Sequence, residues 1–177
     1  MNLGRNPFVF AALAALTALG GCSDGGESPG PGETVWSTSV RTLVISSAGG
    51  GLVPQLPGAQ CLSGAGKHTL EVGTLRLDSI TCEGSSGPLR QVERSRTLTA
   101  AEMSELDPAL QRLEVVDEDS CGADKPEISL TVTTASSTRE YRDSFYSCLD
   151  DPRPTIASSA LDDVLHRLNE LAVSRVR

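Results

Sequence analysis

Five cysteines, at positions 22, 61, 82, 121 and 148, constrain this 177-residue chain more than any other feature, because the last four bracket two strand-turn-strand patterns. Cys61 and Cys82 flank Lys67-His68-Thr69-Leu70-Glu71-Val72, then Gly73-Thr74, then Leu75 through Cys82. If Gly73-Thr74 is a two-residue turn with glycine first, Val72 faces Leu75 and Leu70 faces Leu77 on one side, while Glu71 faces Arg76 on the other. The same register sets His68 opposite Ser79. A single long strand bulged at Gly73 is the competing reading. Cys121 and Cys148 flank Glu127 to Thr134, where Ile128, Leu130 and Val132 alternate with polar residues, and Arg139 to Tyr146, with Tyr141 and Phe145 in one phase. Ala135-Ser136-Ser137 joins these as a second hairpin. Four cysteines allow three pairings. Joining Cys61 with Cys82 and Cys121 with Cys148 closes each hairpin at its open end, over loops of about 20 to 30 residues worth roughly 3 kcal/mol apiece on the chain-entropy account.

The fifth cysteine stands apart. Ahead of it runs an uncharged stretch from Pro7 to Leu19, preceded by Arg5 as the only charged side chain. As a helix this stretch reaches roughly 20 Å, short of a hydrocarbon core of about 30 Å, so it reads as a targeting segment and not as a span. It ends in Leu19-Gly20-Gly21-Cys22, which resembles the lipobox of bacterial lipoproteins. The resemblance covers residues 1–22. It implies cleavage just before Cys22 and diacylation of the Cys22 thiol, with two or three acyl chains making a durable anchor where one would be marginal. An ordinary secretory signal would instead leave an odd thiol in an oxidising compartment, whereas lipid on Cys22 leaves an even four. Ser23 follows the cysteine, a pattern similar to lipoproteins passed to the outer membrane. The implied location is therefore the cell envelope, lipid-anchored at the outer membrane and facing the periplasm or the cell surface.

The expected organisation is a signal peptide over residues 1–21, the lipidated cysteine with a Gly/Pro/Ser linker over 22–33, and one domain over 34–177. The linker holds no apolar residue that could offset its ordering entropy, and its eleven residues after Cys22 reach at most about 35 to 40 Å. Within the domain, Thr34 to Ser46 ends in Leu43-Val44-Ile45 and reads as a first strand; Ala48 to Gly66, with six glycines and two prolines, reads as a loop. Leu89 to Arg96 places Arg90, Val92, Arg94 and Arg96 in one phase, which suits an edge strand guarded by charge, or else a basic stripe for phosphate or an acidic partner.

Two helices follow from their own signals. Thr99-Ala100-Ala101-Glu102 fits a capping box, with Leu98 and Met103 as the staple around it, and Met103, Leu106, Leu110 and Leu113 share a face. Pro108 must either kink that helix or open a second turn capped by Asp107. Leu161, Val164, Leu165, Leu168, Leu171 and Ala172 make the stripe of a last helix, with Ser159 as its candidate cap and with Arg175 and Arg177 complementing its C-terminal dipole. The sum is an α+β domain: an antiparallel sheet built from hairpins, two helices packed on one face, and two disulfides.

Charge and composition narrow the function. The chain carries 15 basic and 23 acidic residues, net −8, and removing Arg5 with the signal makes it −9. Such a domain is repelled by nucleic acid, so no nucleic-acid partner is expected. Trp36, Tyr141, Phe145 and Tyr146 are the only aromatics after Cys22, too few for an aromatic-lined cofactor or sugar cleft. No Gly-x-Ser-x-Gly, His-Glu-x-x-His, Walker loop or Cys-x-x-Cys occurs, and no catalytic residue or cofactor is assigned. His166 has Asp162 and Glu170 four residues to either side, a solvated face more than a metal site. Asp117, Asp119 and Gly122 fall at positions one, three and six of a calcium-type loop, with Asp124 nearby, but Cys121 and Ile128 stand at positions five and twelve where oxygen ligands are needed. These are weak metal candidates. The leading expectation is a non-enzymatic binding or structural module contacting another envelope or extracellular protein. A tethered protease inhibitor presenting Cys121 to Pro126 is the alternative, and a small-ligand receptor or hydrolase the third.

Overall fold

The computed structural model describes residues 29–49, 57–84, 87–118, 122 and 125–174. Cys22, Asp119, Cys121, Asp124, Arg175 and Arg177 therefore lie outside the described residues. The elements run β1 (Thr42–Ala48), β2 (Ala65–Glu71), β3 (Arg76–Glu83), β4 (Arg90–Thr97), α1 (Ala100–Leu110), β5 (Val115–Val116), β6 (Ile128–Thr133), β7 (Thr138–Asp143), β8 (Thr155–Ile156) and α2 (Ser158–Val173). All eight strands form one sheet in the order β4-β3-β2-β1-β6-β7-β8-β5.

The first hairpin holds the expected register: Leu70 pairs with Leu77, Glu71 with Arg76 and His68 with Ser79. Its turn departs from expectation. The left-handed residue is Leu75, at φ 53°, and not Gly73, so the chain makes an ordinary turn at Gly73-Thr74 and then a bulge-type reversal at Leu75. Leu75 stays there because its side chain packs against the core. β4 is an edge strand, as its charged alternation requires. The second hairpin pairs Thr133 with Thr138, but β7 stops at Asp143. Phe145 lies in a 3-10 turn over Ser144–Tyr146, whose start is capped by the Asp143 carboxylate accepting from Phe145 N at 2.9 Å.

The sheet is mixed, which corrects the expectation of a wholly antiparallel one. β7 and β8 run parallel, Arg142 opposite Thr155 and Asp143 opposite Ile156, while every other named pair is antiparallel. β8 and β5 are two residues each and carry no periodic signal; the return from the 3-10 turn places β8 between β7 and β5.

Alternation decides where the core sits. Leu43, Ile45, Leu70, Leu77, Leu130 and Val132 point to one side and are buried, with Leu161, Val164 and Leu168 of α2 packed over them. α1 packs beside α2 on the same side, since Arg96 of β4 reaches both helices: Nη2 donates to Glu102 Oε1 at 2.6 Å, and Nη1 donates to the carbonyls of Leu171 at 2.7 Å and Ser174 at 3.1 Å. One guanidinium thus satisfies the C-terminal carbonyls of α2 and a carboxylate in the first turn of α1. The Thr99 capping box forms, and Pro108 is accommodated inside α1. Asp107, considered as a cap, instead accepts from Trp36 Nε1 at 2.9 Å. Ser159 is not the cap of α2; Ser144 Oγ accepts from Ser158 N at 3.2 Å while donating to Glu118 Oε2 at 2.7 Å.

The opposite face of the sheet bears Thr42, Val44, Ser46, Thr69, Thr131 and Thr133, all half-buried. At the β7 end the segment after the 3-10 turn covers it. There Arg142 is 1% exposed, donating to the carbonyls of Tyr146 and Leu149 and lying 3.6 Å from Asp151. Cys61 and Cys82 form a disulfide that ties the loop before β2 to the end of β3. Cys148 is disulfide-bonded as well.

The N-terminal segment enters at the far edge. Gly32 N donates to Val115 O at 2.7 Å, Val115 N to Glu33 O at 3.0 Å and Val35 N to Leu113 O at 2.8 Å, and Thr34 bridges Glu114. The segment thus lies along β5, at the opposite end of the sheet from β4. Seven inter-strand steps of about 4.8 Å separate these edges by roughly 34 Å.

Candidate functional site

Where α2 crosses the sheet it leaves the end of the β2–β3 hairpin uncovered. Gly66 faces the helix side there, opposite Thr81, and a Cβ at Gly66 would stand 3.2 Å from Ile80 O. Here lies a groove of about 360 Å³, with Gly66 in its lining. Its floor is the strand backbone at Ala65, Gly66 and Cys82 with the Thr81 side chain; its helix wall is Leu165, Asn169 and Val173; its rims carry Glu83 on one side and His166 with Glu170 on the other.

Beneath this groove runs a polar chain. His68, fully buried, lies with Nδ1 2.8 Å from Ser79 Oγ and Nε2 3.0 Å from Asn169 Oδ1. The amide oxygen only accepts, so Nε2 carries the hydrogen, and in the neutral ring Nδ1 accepts from the Ser79 hydroxyl. Burial lowers the His68 pKa, against a smaller opposing effect of the Asn169 bond, and keeps the ring neutral. Among the described residues no carboxylate partners it. Although serine, histidine and asparagine are joined, Ser79 is 1% exposed, so a substrate has no path to its hydroxyl. The chain clamps α2 to the sheet, with only Asn169 reaching the groove.

On the rim, Glu83 receives Arg94 Nη2 at 2.9 Å, a second Arg94 bond to Oε1, and Thr81 Oγ1 at 2.6 Å. The Arg94 bonds, then the Thr81 hydroxyl, hold its pKa down to about 2. It stays charged at any physiological pH and is too weak a base for proton transfer. His166 Nε2 sits 3.4 Å from Glu170 Oε1, with both side chains exposed. A wall carrying Leu165 and Val173, with a few polar groups at the rim, is the make-up of a binding groove.

Other expected sites resolve differently. Asp162 does not face His166; its carboxylate takes Lys125 Nζ at 3.0 Å, and the same ammonium lies 2.8 Å from the fully buried Asp143. Burial alone would lower the Lys125 pKa, but the bonds to Asp143 and Asp162 outweigh it and raise it. Lys125 also stands 5.6 Å from the Phe145 ring centre, and its carbonyl accepts from the Tyr146 hydroxyl. The described part of the loop considered as an inhibitory one is thus fastened to its own domain. Of the calcium candidates, Asp117 is exposed. Arg94 and Arg96 are committed to Glu83 and to the helices, so β4 offers no free basic stripe. The groove itself was not legible in the sequence: Gly66 in an otherwise regular strand was its one signal.

No protein-family model matches the chain, and comparison with curated proteins finds no relative. Among the described residues, no helix is long and apolar enough to cross a membrane.

Proposed function

We propose that this chain is an envelope-anchored lipoprotein whose domain is a binding module: lipid on Cys22 holds it at the membrane, and the groove beside α2 receives a segment of another envelope or extracellular protein. The observation that carries this reading is the separation of tether and groove. Residues 32–35, where the domain begins, lie along β5, while the groove sits at β2 and β3 next to the opposite edge. A tether that joins the domain at β5 does not cross the groove and leaves it open to a partner. The covalent ties support a rigid presentation: Cys61–Cys82 braces the groove floor, and pairing of Cys148 with Cys121 would close the second hairpin in the same way. In the outer membrane, the groove would look into the periplasm or out from the surface.

Metabolic labelling with a clickable palmitate analogue tests the anchor. The native chain should take up label and sediment with membranes, and Cys22→Ser should do neither. Label retained in Cys22→Ser would refute the lipoprotein reading.

A further inference from the structure

We infer that the groove takes an extended partner segment in which an aliphatic side chain is followed by lysine or arginine. This rests on the binding-module reading and names the partner's chemistry. A volume of about 360 Å³ is that of roughly a dozen waters and lies near the lower end of ligand cavities. It accommodates one or two side chains and not a large cofactor. The helix wall presents Leu165 and Val173 beside Asn169, and Val173 is 57% exposed. An aliphatic side chain entering beside the bare Gly66 covers that surface.

Charge selects what accompanies it. Among the described residues the groove lining holds two carboxylates, Glu83 and Glu170, and no lysine or arginine. Arg94, reaching over from β4, bonds both Glu83 and Thr81 of the lining and neutralises the Glu83 carboxylate. Glu170 is 64% exposed, and among the described residues His166, at 3.4 Å, is its only ionic neighbour. The whole chain at net −8 adds a long-range field of the same sign. Glu83 is already paired with Arg94, so Glu170 is the carboxylate that answers a partner's cation, and an acidic segment would meet its charge unrelieved.

The test uses the full lipidated chain, isotope-labelled, in zwitterionic micelles, titrated with acetyl-Gly-Leu-Lys-Gly-amide and with its Leu-Glu counterpart, reading amide shifts by NMR. The lysine peptide should shift Ala65, Gly66, Asn169 and Val173 saturably, and the glutamate peptide should not. Glu170→Arg should weaken binding at least tenfold, while Glu140→Arg, the same charge change at an exposed position of β7 away from the groove, should leave it unchanged. Cys22→Ser should bind as the native chain does, which separates the groove from the anchor. Shifts confined to the open sheet face, equal binding of both peptides, or indifference to Glu170→Arg would overturn the proposal.

Discussion

Removing Ser79 should cost more than removing Asn169, although each makes one hydrogen bond to the same imidazole. In Ser79→Ala the Nδ1 lone pair loses its donor in a site where His68 is fully buried and residue 79 is 1% exposed. No water can replace the hydroxyl, and an orphaned buried acceptor costs about 1–3 kcal/mol. In Asn169→Ala the Nε2 hydrogen instead opens onto the groove, where water takes over at a net cost of about 1 kcal/mol or less. The difference of about 1–2 kcal/mol corresponds to roughly 3–8 °C in melting midpoint for a domain of this size. Thermal and urea unfolding of the full chain in micelles, disulfides intact, measure it. If Asn169→Ala is as costly as Ser79→Ala, then Nε2 is sealed from solvent and the groove does not reach the polar chain as described.

Acid should act in two stages. The lowered pKa of His68 means that the unfolded chain binds a proton near 6.5 that the native fold resists, so stability is level above that pH and declines as the pH falls below it; His68→Gln should flatten this first slope in urea titrations between pH 7 and 5. Glu83 and Asp151, held to about 2 mainly by Arg94 and Arg153, contribute stability that is present above the unfolded carboxylate range and lost as pH falls through it toward 2. Glu83→Gln should shrink that second decline, which far-UV circular dichroism can follow. Arg96→Met removes the bonds to Leu171, Ser174 and Glu102 together; a loss of about 2–3 kcal/mol, with hydrogen exchange faster in the last turn of α2, is expected from deuterium uptake. A Cβ at Gly122 would overlap the Phe145 ring, so Gly122→Ala should cost about 1–3 kcal/mol, largely restored by Phe145→Ala in a double-mutant cycle.

Local rules were readable wherever neighbours in sequence are also neighbours in space. The register of β2 and β3 follows from placing Leu70 on Leu77 and Glu71 on Arg76, and the start of α1 follows from Thr99 and Glu102. What escaped is tertiary. Ser144 caps α2 from fourteen residues away, and Arg96 caps its other end from a strand. Asp162 turns from His166 because Lys125, from another segment, offers a full charge beside the buried Asp143. The two-residue strands β5 and β8 are too short for any period to announce them. His68 opposite Ser79 was legible, but its third partner, Asn169, was not, because nothing local ties a helix carboxamide to a strand 101 residues earlier.

The groove's role is tested most directly by placing a photoreactive amino acid at Val173 in living cells and, separately, at Thr131 on the open sheet face, then sequencing the cross-linked peptides. The account predicts one saturable adduct from position 173, lost with Glu170→Arg, whose partner peptide carries an aliphatic residue beside lysine or arginine, and none from position 131. An adduct from Thr131 alone, or a Val173 adduct indifferent to Glu170→Arg, would contradict it.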